Sequence, residues 1–196
     1  ELLSVISKMM DELQIPKIPV YLDSPLSIKA TAIYEKYLKI PFFKFPNINF
    51  SLTTEESKKI NDVTPPKIII AGSGMSTGGR ILHHERRYLP DKNSTLLLVS
   101  YQAPGSLGRR IQDGAGSVGL FGEDVPVRCH IEMISGYSAH ADQETLFEFA
   151  RAHSDTLKKV FLTHGEPKAS LTLVQRLRDY LGVNASAPKY GDLIEL

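Results

Sequence analysis

Two histidines sit where a folded chain delivers chemistry. His140 lies in ISGYSAHADQ, after an apolar strand and before a helix, and His164 lies in FLTHGE, in a similar place. A neutral imidazole suits zinc and a titrating one suits proton transfer, so either task is open to them. If their strands are parallel neighbours, both would end on the same edge of a sheet. Asp142 has a plain structural role as the N-cap of the following helix. Gly165 and Glu166 mark a sharp turn that would aim His164 outward. Two histidines do not make a metal site, which takes three or four ligands. The chain has no HxH, HxxxH or HxxEH pattern to supply more.

Two glycine-rich loops are the other candidates. AGSGMSTGGR, Ala71 to Arg80, joins the apolar strand KIIIAG to a helix over Arg80 to Tyr88. Backbone N–H groups of such a loop can approach a phosphate at the helix start. A dinucleotide reading would use Gly72, Gly74 and Gly78, but their spacing is off by one. That reading also needs an acidic residue after the next strand, where TLLLVSYQ ends in Tyr101 and Gln102. The lysine of a phosphate-binding P-loop is absent too. A tight turn that merely uses glycine for positive φ remains an alternative. YQAPGSLGRRI repeats the pattern, with a helix starting at Ser106 and Arg109 and Arg110 in its first turns. Those arginines either reach a phosphate or are simply solvated. His83, His84, Arg86 and Arg87 form a basic run broken by Glu85, which a solvated helix face explains equally well.

The elements that must position these loops alternate. An amphipathic helix over ELLSVISKMMDELQIP precedes the strand KIPVYL, which ends at Asp23. DSPL starts a helix capped by Asp23 or Ser24, continuing through Ala30, Ile33, Tyr34 and Tyr37. Pro41 to Asn49 is irregular and rich in Phe. TTEESKKIND is a helix with a capping box between Thr53 and Glu56. The strand TLLLVSY follows the first glycine loop. Continuous apolar strands separated by helices imply an α/β fold with a parallel sheet covered on both faces. Glycines 114, 116, 119 and 122 punctuate a linker or hairpin, which places a domain boundary near Gly122. Beyond it come the strand VRCHIEMIS, a helix from Gln143 to about His153, the strand KKVFLT and a helix from Ala169 to Leu181. KYGDLIEL ends the chain as an expected edge strand.

Composition excludes several classes. The 196 residues suffice for one large or two small domains, and 42% apolar with 23% charged is ordinary for a globular protein. A net charge of +1 gives no overall footprint for nucleic acid, so such binding needs a local patch. The single cysteine, Cys129, excludes an internal disulfide framework and alternates with Val127, Ile131 and Met133 as a buried structural thiol would. No apolar run reaches membrane-span length and no signal peptide is evident, so the expectation is a soluble cytoplasmic protein. The opening helix lacks a cap and an initiator methionine, as in a chain cut from something longer.

LDSPLSIKATAIYEKY, IIIAGSGMSTGGRILHHERRYL, SYQAPGSLGRRI, ISGYSAHAD and FLTHGE, in this order, resemble the β-CASP branch of the metallo-β-lactamase superfamily, which contains RNA-processing nucleases. The resemblance implies a Rossmann-like parallel sheet of a partial β-CASP domain over residues 1–122. Residues 123–196 would then be the C-terminal β-α-β-α portion of a metallo-β-lactamase fold. It implies RNA as partner and two zinc ions in the full-length parent. His140 becomes the catalytic histidine beside the scissile phosphate, protonating the leaving group or orienting the phosphate. His164 becomes a zinc ligand, and histidine rather than valine at this position favours RNA over DNA. Ser73, Ser76, Thr77, Arg80, Ser106 and Ser138 become candidates for contacting RNA in a groove. The family's HxHxDH signature and acidic ligands have no counterpart here. The resemblance therefore implies an N-terminal half carried elsewhere, a chain inactive by itself, and an assembly for which a homodimer is compatible. A non-catalytic RNA-binding or partner-docking module of the same family is the alternative. A small-molecule enzyme on a Rossmann-like sheet fits the glycine spacing poorly.

Overall fold

KIPVYL and KIIIAG fold into β1 (Val20–Asp23) and β3 (Ile68–Ala71), which pair in parallel with Val20 opposite Ile68 and Asp23 opposite Ala71. The other edge of β1 takes β2 (Ile48–Phe50), also parallel. The structure, a computed structural model, describes residues 1–38 and 47–194. It separates into two units, Glu1–Ser138 and Ala139–Leu196. Most of the Phe-rich stretch expected to be irregular therefore lies outside the described residues, and its tail supplies β2.

In the first unit, helix α1 (Leu2–Asp11) buries Ile6 and Met10 against Val20, while α2 (Pro25–Leu38) follows β1 directly. Ser24 caps α2, accepting from the Ser27 N–H. Helix α3 (Thr54–Lys59) carries the expected capping box, Thr53 and Glu56 each accepting from the other's backbone N–H. α4 (Ile81–Tyr88) leads through a turn to β4 (Thr95–Leu98), and α5 (Leu107–Gln112) is capped by Ser106 accepting from the Arg109 N–H. The glycine-punctuated segment is a hairpin, β5 (Ser117–Leu120) against β6 (Glu123–Pro126), turning through Phe121 and Gly122 at positive φ. β7 (His130–Met133) then pairs in parallel with β4. Leu89, Ile111, Val118, Leu120 and Val125 form the core here, and each such side chain contributes about 1.5–3 kcal/mol by burial. Val127, Cys129 and Ile131 pack on it as the alternation requires, and burial pushes the Cys129 thiol up. Met133 departs from the pattern, exposed where the strand ends.

In the second unit, α6 (Gln143–Arg151) and α7 (Pro167–Leu181) bury Phe147, Ala150, Leu173, Val174 and Leu177 together with Val183 and Ala185. A short parallel pair, β8 (Val160–Phe161) with β9 (Ala185–Ser186), completes it. The expected edge strand over KYGDLIEL does not form among the described residues. There Asp192 Oδ2 accepts from the Lys189 N–H and Gly191 takes φ +91°, so a side-chain-closed turn replaces extended backbone. β7 pairs with β4 and β8 with β9. Among the described residues no strand pairing links β7, before His140, to β8, before His164. No helix among the described residues is long and apolar enough to cross a membrane.

Candidate functional site

The most elaborate polar arrangement in the first unit lies at the end of β1. Asp23 has no exposed surface. Its Oδ1 accepts from Arg80 Nη1 at 2.7 Å, and its Oδ2 accepts from Ser57 Oγ at 2.6 Å and His84 Nε2 at 2.7 Å. Arg80 also donates to the Ser51 and Leu52 carbonyls. Burial by itself would raise the Asp23 pKa, but the hydrogen bonds from Ser57, His84 and Arg80 hold it below the ordinary value of 3.8. One carboxylate thus ties together the end of β1, helix α3, the segment before it, and the start of α4.

Beneath the first glycine loop is a second buried carboxylate of the opposite character. Glu85 Oε1 accepts a hydrogen bond from the Ser76 hydroxyl, while its Oε2 is buried without a partner among the described residues. Burial, only partly opposed by Ser76, pushes its carboxyl up to about 7. His84 and Glu85 both face inward, so the basic run on α4 is not the uniformly solvated face that its composition suggested.

The two glycine-rich loops form one clasp. Gln102 Nε2 and Ser100 Oγ donate to the Gly74 carbonyl at 2.7 and 2.8 Å, and the Gly108 N–H donates to the Met75 carbonyl. Within the first loop, the Ser73 N–H donates to Gly78 O and the Ile81 N–H to Gly72 O. Gly79 sits at φ +78° with the Gly72 carbonyl where a Cβ would be, so only glycine fits. Of the loop residues singled out by sequence, Ser76 is buried on Glu85 and Arg80 is committed to Asp23. Ser73 and Thr77 face each other, their hydroxyls 3.1 Å apart, and Thr77 is exposed. The Ser106 hydroxyl caps α5.

In the second unit the histidine loops are exposed and locally constrained. His140 lies just before Asp142, whose carboxylate accepts from the Thr145 N–H at 2.8 Å and caps α6. That backbone hydrogen bond holds the Asp142 carboxyl below its ordinary range. Ser138, at the end of the first unit, is exposed. His164 takes φ +64°, a conformation that costs a residue bearing a Cβ. A Cβ on Gly165 would meet the Ser170 hydroxyl, which is buried at the start of α7 and would have to turn away. Pro167 opens that helix. A left-handed backbone, a glycine closely approached by the Ser170 hydroxyl and a proline at the helix start together constrain the exposed His164.

A zinc centre takes three or four protein donors. No group of three or more His, Cys, Asp and Glu side chains converges among the described residues. The described residues do not fit a complete zinc site, and His164 belongs to no such group. Sequence reasoning missed the polar network of Asp23, Ser57, Arg80 and His84. Its only legible trace was Asp23 at the end of an apolar strand, where a carboxylate needs a partner.

Two family models match the chain: the Beta-Casp domain over residues 1–111 and the Zn-dependent metallo-hydrolase RNA specificity domain over residues 124–188. The chain is similar to ribonuclease TTHA0252 of Thermus thermophilus, with 32% identity covering 91% of this chain and 43% of the relative. It is also similar to the transcription termination factor FttA of Pyrococcus horikoshii, at 31% identity covering 92% of this chain and 30% of that protein. FttA of Pyrococcus abyssi matches at 32% over 91% of this chain and 30% of its own length. The chain thus spans less than half the length of these curated relatives.

Proposed function

The chain belongs to the β-CASP branch of the metallo-β-lactamase superfamily, of which it covers the C-terminal part, and from that premise we propose that it is part of a zinc-dependent RNA hydrolase. The observation that carries this reading is the way His164 is held out at positive φ between a constrained glycine and a helix start. Strain of this kind, at a residue that fills no core, is characteristic of functional positions. The relative named a ribonuclease supports hydrolysis of an RNA phosphodiester, by internal cleavage, by degradation from the 5′ end, or both.

In this reading His140 faces the scissile phosphate, as leaving-group acid or as the group that orients it. His164 donates to zinc in the full-length protein, and the remaining donors come from residues outside this chain. Zinc would supply charge neutralisation and an activated water. Ser73, Thr77, Ser106 and Ser138 contact RNA, whereas Ser76 and Arg80 act from the interior by holding the glycine loop. The functional division lies near Gly122, supported by the interval between the two family matches, and the protein works in the cytoplasm.

A second reading, a non-catalytic RNA-binding or partner-docking module, draws on the relatives named transcription termination factors. His164→Ala in the full-length protein separates the two. The hydrolase reading expects RNA cleavage to fall by at least about 100-fold, more than an outer-shell metal partner typically costs, with RNA affinity unchanged. Cleavage that survives the substitution, or a parent that never cleaves, favours the docking module.

A further inference from the structure

Helices α3 and α4 frame a cavity of about 440 Å³ that the hydrolytic site leaves unused. Lys58, His83, His84, Arg80, Arg86 and Arg87 line it, and no carboxylate does. These basic groups differ in availability. Arg80 and His84 are committed to Asp23, and Arg86 is held by both carboxylate oxygens of Glu123. Lys58 Nζ and the His83 ring make no hydrogen bond or ion pair among the described residues. Arg87 donates only to the Asn61 carbonyl, at 3.3 Å, and lies over the Tyr88 ring, which leaves most of its guanidinium edge open.

One of the lining residues carries an aromatic surface that packing does not explain. His83 lines the cavity and stacks on Phe121, ring centroids 4.6 Å apart and planes 23° apart. Phe121 occupies the left-handed first position of the hairpin turn, at φ +51°, where asparagine or glycine is the ordinary choice. It is 52% exposed and belongs to none of the core clusters. A strained, half-open phenylalanine stacked on a residue that lines this basic cavity suits a ligand with both negative charge and a flat face.

We propose that this cavity is a second RNA-contact site, taking a phosphate of a single strand at Lys58 and Arg87 and a neighbouring base on the His83–Phe121 stack. Proteins grip single strands by this combination of cations for the backbone and aromatic rings for the bases. An acidic peptide would satisfy the cations but offers no π-face to the stack. The proposal rests on RNA being the substrate of this protein.

Fluorescence anisotropy of a labelled, unstructured single-stranded RNA of about ten nucleotides, within the usual site size, tests it on the 196-residue chain across a salt series. The doubly reversed variant Lys58→Glu/Arg87→Glu should bind about tenfold or more weakly, with the salt slope reduced by about 1 to 1.5. Phe121→Ala should weaken binding on the order of fivefold and leave the salt slope unchanged. All three positions are exposed, and thermal melts of each variant check that the fold persists. RNA affinity unchanged in these variants but lost in Ser73→Ala/Thr77→Ala would overturn the cavity site and leave the RNA reading standing. A wild-type chain that binds no RNA also overturns it, while the hydrolase reading is judged separately by cleavage in the full-length His164→Ala protein. Poly-glutamate of matched charge displacing RNA as well as RNA itself does would make the cavity a docking site for acidic protein, which contradicts the proposal.

Discussion

Asp23 ends one short parallel strand and His164 follows another, yet their surroundings are built in opposite senses. Asp23 has no exposed surface and receives hydrogen bonds from Ser57, His84 and Arg80, all within the first unit. His164 is exposed, held by backbone strain and by its neighbours, and belongs to no group of three or more metal donors among the described residues. On the reading proposed above, the difference separates a polar group that maintains the fold from one placed for a ligand. A residue of the first kind is inferred from its satisfied partners. A residue of the second kind is recognised by a costly conformation that repays nothing in packing.

The comparison breaks most visibly if Asp23 can be removed cheaply. Asp23→Ala leaves Arg80 and His84 without their shared carboxylate, and the expected loss is about 3–5 kcal/mol. For a chain of this size that lowers Tm by roughly 10 °C, readable by calorimetry. A change of a degree or two would mean that the cluster is not what closes the loop.

Glu85 sharpens the same point through pH. Its carboxyl titrates near 7 when folded and near its ordinary value of 4.5 when unfolded. Between those values the folded chain holds a proton that the unfolded chain has released. The group's contribution is therefore fully present below about 4.5 and is lost as pH rises to about 7, on the order of 3 kcal/mol in all. Asp23 has the opposite sign, contributing above its ordinary value of 3.8 and losing that contribution as pH falls through its lower folded value. Urea melts at about pH 5 and about pH 8 should show Glu85→Gln more stable than wild type at the higher pH only.

Ser106→Ala removes the cap of α5 and should cost about 1 kcal/mol. If Ser106 serves RNA as well as the helix, the same variant also weakens RNA binding, and anisotropy reads that separately. The smallest effect is expected at His164. His164→Gly relieves the positive φ and should stabilise the chain by up to about 1 kcal/mol. Function in the full-length protein would nevertheless be lost.

Much of the scaffold was legible in the sequence because its signals are local. Thr53 and Glu56 announce a capping box three residues apart, Asp142 caps the helix that follows it, and glycines near 122 mark the hairpin turn. The order of strands and helices followed from apolar runs and their spacing. What escaped was determined by partners distant in sequence. His84 read as part of a basic surface or a solvated helix face, because its partner, Asp23, lies 61 residues away. Asp23 was a candidate cap until its buried partners showed that Ser24 takes that role. The final segment had the composition of an edge strand, but the Asp192 carboxylate closes a turn there first. The histidines themselves were visible as residues at loop ends. The positive φ of His164 and the contact that reserves Gly165 were not, since both depend on how α7 packs above them.

The central claim is that His164 is posed for a metal whose other donors this chain does not supply. Zinc titration of the 196-residue chain against a chelating indicator, followed by an RNA cleavage assay on the same sample, tests it directly. The account predicts weak zinc binding and no metal-dependent cleavage. Tight stoichiometric zinc binding with RNA cleavage, both abolished by His164→Ala, would contradict it.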